Sequence, residues 1–360
     1  FNTFSDERRQ LGVLINAFIR KVNFGSDFEA HLNFYVDSRN NFQSLDVVQE
    51  VIVQGSMSLA MRVRSAVKGR HTKKTSAFAK ACAAFAYITI PTIDSATLRL
   101  RLNLLGAQVA LCNGLQAQMD AFFKAAVTLV PDCLIMDDGK EPEGNAAVRE
   151  AYAREEALVG LLSSGIGFLV AVPGHPKHGP FFLAQGALNV IQSAKWRLPS
   201  SKCILFGKML RLFAAYGQRS LPYRIPGVDS NDVLYAAEPE YHEKLNEVIL
   251  LILKQVDAVL TELSDAAGAQ GAEMSAKKGL AASALTLFDV TLDVTTLSKP
   301  SLSLCAKLFG LAAKADAGAE VKAQLKVAMA HVHRKAAAAG GGPHKDLFAK
   351  MEAVMPGGKK

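Results

Sequence analysis

Paired cysteines are missing from this sequence. Its five thiols, Cys82, Cys112, Cys133, Cys203 and Cys305, are odd in number, form no C-x-x-C pair and sit inside apolar runs. That usage argues against a disulfide framework and predicts buried thiols in a reducing cytosol. A membrane-length apolar run is also missing. The longest, "LVGLLSSGIGFLVAVP" (158–173), is interrupted by two serines and ends in proline. It falls short of the roughly 18–20 residues needed to span a bilayer, so the chain is expected to be soluble. The opening "FNTFSDERRQ" starts at Phe1 and has no signal-peptide character, as expected for a piece of a longer protein.

Acidic residues are absent between Val51 and Ile93, where Arg62, Arg64, Lys68, Arg70, Lys73, Lys74 and Lys80 all stand. The formal net charge is +8, yet "DDGKEPEGNAAVREAYAREE" (137–156) is acidic, so patches of opposite sign alternate along the chain. The basic run lacks the evenly interleaved aromatics of a base-stacking platform, and no nucleic-acid partner is expected. Arg62, Arg64, Lys68, Arg70, Lys73 and Lys74 instead form a candidate electrostatic surface, or simply a solvated helix face and loop.

Strand signals are scarce, and what is present is helical. The chain is half hydrophobic, enough for a large core. Apolar residues recur at about 3.6 positions nearly everywhere. In "YHEKLNEVILLILKQVDAVLTEL" (241–263), Leu245, Ile249, Ile252, Val256, Val259 and Leu263 make one stripe, widened by Val248, Leu251 and Leu260. "SDFEAHLNFYVDSRNNF" (26–42) offers a capping box, Ser26 with Glu29, then Phe28, Leu32, Tyr35 and Val36 on one face. Only "TLFDVTLDVTTL" (286–297) is β-branched enough to be ambiguous, and its helical surroundings favour helix.

Roughly a dozen such helices joined by short Pro, Gly, Asn and Asp turns define an all-α chain. At this length they predict a right-handed-type α-solenoid of degenerate HEAT-like antiparallel helix pairs over residues 1–335. An Ala/Gly linker follows at 336–343, then a short helix and frayed tail at 344–360. Residues 265–277 read as a second small-residue linker.

Two turns attract attention as sites. "AVPGHPKHGPFF" sets His175 and His178 in a Pro- and Gly-rich stretch with Pro176 and Gly179. A zinc site needs further Cys, His, Asp or Glu ligands, and the rest of this loop supplies only Pro173, Gly174, Lys177 and Gly179. The nearest acids, Glu155 and Glu156, lie a helix away. A stiff corner is the better reading, with Pro180 suited to the start of the next helix. "VDSNDVLY" (228–235) carries Asp229, Ser230, Asn231, Asp232 and Tyr235 but not the EF-hand spacing. The Gly207–Lys208 and Gly165/Gly167 stretches fail as phosphate or dinucleotide loops. No catalytic triad is legible, and no catalytic residue, metal or cofactor is assigned.

Taken in order, "DFEAHLNFYVDSR", "AFFKAAVTLVPD", "VPGHPKHGPFFLAQGALNVIQ" and "VDSNDVLY" resemble the C-terminal half of the large α-solenoid subunits of the retriever complex, the retromer large-subunit-like family of the Commander assembly. The likeness runs from about Phe24 to Leu263 and more faintly through "KGLAASALTLFDV"; the last sixty or so residues depart from it. The resemblance implies a non-catalytic scaffold, cytoplasmic and peripheral on endosomes, whose C-terminal superhelix wraps a small subunit of metallophosphoesterase-like fold. It also implies an arrestin-like subunit bound elsewhere on the longer protein, contacts with other Commander components, and cargo reached indirectly through a sorting-nexin adaptor. His175, Pro176, His178, Gly179, Asp229, Ser230, Asn231, Asp232 and Tyr235 are then candidate partner-contact residues. They could equally lock neighbouring repeats, with Asp229 and Ser230 capping the next helix. Two further readings stay open: a generic HEAT-like solenoid for acidic or nucleic-acid partners, and a metal-dependent hydrolase using the histidine pair.

Overall fold

The computed structural model describes the chain outside residues 1–3, 136–143, 176, 223, 236, 269–273, 295–298, 316–317, 339–341 and 356–360. In chain order its helices are α1 (Phe4–Lys21), α2 (Phe28–Asn41), α3 (Asp46–Ala66), α4 (Lys73–Thr89), α5 (Ala96–Cys112), α6 (Gln116–Thr128), α7 (Val130–Leu134) and α8 (Asn145–Phe168). They continue as α9 (Phe182–Ser193), α10 (Pro199–Tyr216), α11 (Asn231–Leu234), α12 (Pro239–Gly268), α13 (Met274–Val294), α14 (Lys299–Lys314), α15 (Ala319–Ala338) and α16 (Pro343–Val354). Among the described residues there is no β-strand, only one bridge between His175 and Gly179. The chain is all-α, with neighbouring helices packed in pairs as in an α-solenoid.

By its contacts the chain splits into two compact units. The first comprises Phe1–Gly144, Ala171–Ala194 and Pro222–Leu234; the second comprises Asn145–Val170, Lys195–Leu221 and Tyr235–Lys360. In the first, α3 packs against α1, α2, α4 and α5, while α6 packs against α5 and α9. Val48, Ile52, Leu59, Leu100, Phe122 and Phe123 fill its core. In the second, α10 packs against α8, α12 and α13, and α16 closes on α14 and α15. Its core holds Phe206, Phe213, Phe288, Phe309 and Leu347.

Local chemistry explains most helix starts. Thr72 and Thr75 form a reciprocal capping box at α4, and Ser95 accepts the Leu98 N–H at α5. At α2 the cap is Asp27, whose carboxylate accepts the Ala30 N–H at 2.9 Å, not the Ser26–Glu29 box expected from the sequence. The buried face of α2 is correspondingly His31, Tyr35 and Ser38, with Val36 exposed. Glycine in the facing helix accommodates that face. A Cβ on Gly55 of α3 would lie 2.5 Å from Tyr35 Cζ, so the absent side chain makes room for the ring.

The ambiguous β-branched stretch is helical through Val294, with the Thr286 and Thr291 hydroxyls donating to carbonyls one turn back at 2.8 Å. Its last residues, 295–297, lie outside the described residues. In α12, Val248 and Leu260 are buried as expected, whereas Leu251 is exposed beside Leu250. Helix α15 continues through Ala336–Ala338, into the stretch expected as a linker, as alanine's helix propensity favours. Of the other expected linker, 265–268 end α12 and 274–277 begin α13. No described helix is long and apolar enough to cross a membrane.

Candidate functional site

The two singled-out turns meet in the first unit. After Val172 the chain tightens at His175–Gly179, where each residue's N–H donates to the other's carbonyl at 3.0 Å. Gly179 sits at φ +89°, a conformation that a Cβ would strain. His175 Nδ1 accepts the N–H groups of Lys177 (3.1 Å) and His178 (3.2 Å). That leaves the ring proton on Nε2, which faces Asp120 Oδ2 of α6 at 3.8 Å. His178 stacks on Phe182 of α9 at 4.4 Å, and the two histidine rings are 4.5 Å apart. Lys124 of α6 completes the clamp, 2.6 Å from Asp120 and 4.6 Å above the Phe182 ring.

The second turn closes on the first through Asn231. Its side-chain Oδ1 accepts the Gly174 N–H at 2.7 Å, while Gln116 donates to the Gly174 carbonyl at 3.4 Å. Asn231 is fully buried, and its Nδ2 has no protein partner. Asp232, buried too, accepts from the Ser230 hydroxyl and from Arg224 at 3.0 Å. Ser230 therefore serves the turn by donating its hydroxyl to Asp232. Asp229 is exposed and, with Gly114, Pro173 and Gly227, lines a polar recess of about 290 Å³.

Pro176 lies outside the described residues. Tyr235 belongs to the second unit, where its ring stacks on Tyr241 at 5.8 Å. Lys177 and His178 are exposed, and His175 is half-buried. A metal would need the Nδ1 lone pair that His175 gives to the backbone. Among the described residues no group of three or more His, Cys, Asp or Glu side chains converges as a metal site. Three of the thiols are poorly placed to ionise. Burial pushes Cys82 up to about 12 and Cys203 and Cys305 up to about 11.

The basic run divides by role. Arg62 donates to the Gly25 carbonyl at 3.1 Å and covers the Phe28 ring at 5.1 Å. Arg64 donates to the Cys112 carbonyl, tying α3 to the end of α5. Lys74 pairs with Glu29 at 3.4 Å, and Lys68, Arg70 and Lys73 are exposed.

Sequence reasoning missed Asp120, Lys124 and Glu155 as structural anchors. The spacing of Asp120 and Lys124, four apart on a helix, was a readable signal. Glu155 had none. It is buried in α8 and accepts the N–H groups of Arg197 (2.8 Å) and Leu198 (2.9 Å) and the Ser201 hydroxyl (2.6 Å), capping α10 from another helix.

An all-α stack of paired helices, with two turns locked together at the histidine corner, defines an α-solenoid. The family described as the VPS35L C-terminal domain matches residues 2–356, and the chain belongs to it. It is 34% identical to a Dictyostelium discoideum VPS35 endosomal protein sorting factor-like protein, covering 87% of this chain and 30% of that protein. Identity to the Homo sapiens counterpart is 40%, over 71% of this chain and 26% of that protein. The Drosophila melanogaster counterpart is 34% identical over 88% and 31%. The chain thus spans about a quarter to a third of the length of these relatives.

Proposed function

We propose that the chain is a non-catalytic scaffold piece of an endosomal cargo-recycling complex, acting in the cytoplasm and peripheral on endosomes. In this reading its solenoid holds a small subunit of metallophosphoesterase-like fold. The observation that carries the scaffold role is the lock between the two turns: Asn231 holds Gly174, and His175 spends its Nδ1 on its own backbone. That arrangement suits a rigid edge presented to a globular partner and commits the His175 Nδ1 lone pair to structure. Family membership and the relatives' designation as endosomal sorting factors support the same reading. An arrestin-like subunit and a sorting-nexin adaptor would engage the longer protein, with other Commander components.

Titration calorimetry of the chain with the purified metallophosphoesterase-fold subunit tests the proposal. Tight one-to-one binding is expected, weakened by His178→Ala, a substitution at an exposed position. Absence of binding by a helical, monodisperse chain would overturn the partner assignment.

A further inference from the structure

The recess at Asp229 is not polar throughout. Leu111, Pro173, Val228 and Leu234 give it apolar sides, and Leu234 is itself exposed. Gly114 and Gly227 bring bare backbone to it at φ +70° and +81°, and a Cβ on either would meet nothing within 4 Å. Gln116 lines it too while donating to the Gly174 carbonyl, and Asn231 accepts the Gly174 N–H. The hydrogen bonds of the lock thus fix the segments that form the recess. Its volume of about 290 Å³ lies at the bottom of the range for small-molecule sites and suits one long side chain.

Asp229 is the one charged side chain that lines it. In a chain of net charge +8, this exposed carboxylate has no hydrogen-bond or ion-pair partner among the described residues. The other two charged groups of the turn satisfy each other, with Arg224 on Asp232 at 3.0 Å. An unpaired carboxylate beside apolar walls selects a cation carried on an apolar stem. Arginine meets that demand better than lysine. Its planar guanidinium bonds a carboxylate through two N–H groups and is more weakly hydrated than an ammonium.

We propose that this recess receives an arginine side chain from a partner protein, with its guanidinium on Asp229 and its stem against Pro173, Val228 and Leu234. The inference deepens the scaffold reading by naming the group that the partner presents at this edge. It rests on that reading only for the identity of the partner. A charge pair at so exposed a position selects the partner more than it tightens the complex.

Ligand-observed NMR titration of the chain with the peptide acetyl-Gly-Gly-Arg-Gly-Gly-amide tests the proposal without the metallophosphoesterase-fold subunit. Two control peptides carry lysine or citrulline in place of the arginine. The arginine probe is expected to bind with a Kd of about 1 mM, and both controls about tenfold more weakly. Asp229→Asn should cost the arginine probe about tenfold and leave the helical circular dichroism unchanged, because the side chain is exposed. Lysine or citrulline bound as tightly as arginine, binding undiminished by Asp229→Asn, or no binding of the arginine probe would each overturn the proposal. A chain that binds the arginine probe but not the metallophosphoesterase-fold subunit would sink the partner assignment and keep this site. The reverse pattern would sink this site alone.

Discussion

The buried side chain of Asn231 accepts the Gly174 N–H at 2.7 Å and so joins two turns that lie 57 residues apart in the chain. Replacing it with alanine leaves the buried Gly174 amide without an acceptor. Asn231→Ala is expected to destabilise the first unit by about 1–3 kcal/mol. Urea unfolding should show the lost stability, and hydrogen exchange should show the Gly174 amide newly exposed. Unchanged protection at Gly174 would mean that the lock does not hold the corner.

Glu155 does for the second unit what Asn231 does for the first. Its carboxylate answers two backbone donors and a hydroxyl where Pro199 begins α10. Glu155→Ala orphans all three and should cost about 2–4 kcal/mol, with Glu155→Gln about half as damaging because one acceptor oxygen remains. Thermal melts of the two variants rank these costs. Equal losses would show that the one acceptor oxygen kept by glutamine contributes nothing to the cap.

The contrast between these residues and the rest of the chain shows what a sequence can carry. Stripes such as Leu245, Ile252, Val256 and Val259 are legible because burial repeats along one helix, and all four are buried. The corner at His175 was legible because proline and glycine restrict the backbone locally. Glu155 was not, since it acts on groups that only tertiary packing brings near, and Asp120 showed only its pairing with Lys124, not its approach to His175. The cap of α2 fails for a subtler reason: Ser26 and Asp27 are adjacent competent caps, and the local pattern does not choose between them. The division into two units was equally hidden, because the chain leaves and re-enters each of them.

Two glycines inside helices should respond to alanine in opposite directions. In α5, a Cβ on Gly106 would meet the Phe122 ring at 2.7 Å, and that ring is fully buried against Tyr87. Overpacking of about 1–3 kcal/mol there should exceed the gain in helix propensity, leaving Gly106→Ala less stable. Gly160 of α8 has nothing within 4 Å of the same position, so Gly160→Ala should stabilise by about 0.5–1 kcal/mol. Chemical denaturation of both variants gives the comparison, and a stabilised Gly106→Ala would refute the close α5–α6 approach.

His31 makes stability depend on pH. Its ring is buried between Phe24 at 5.4 Å and Tyr35 at 4.9 Å, and neither ring nitrogen has a partner. Burial, helped by the nearby Arg62 charge, holds its pKa below the ordinary 6.5. The unfolded chain therefore takes up a proton as pH falls through 6.5, while the folded chain does not until the lower value is reached. Between those limits the unfolded state binds more protons, so stability rises with pH and is lost on acidification. His31→Phe keeps an aromatic ring in place and removes the titration. Unfolding free energies at about pH 7.5 and about pH 5 should differ more for the wild type than for this variant. Identical pH dependence in the two proteins would mean that the folded state accepts the His31 proton as readily as water does.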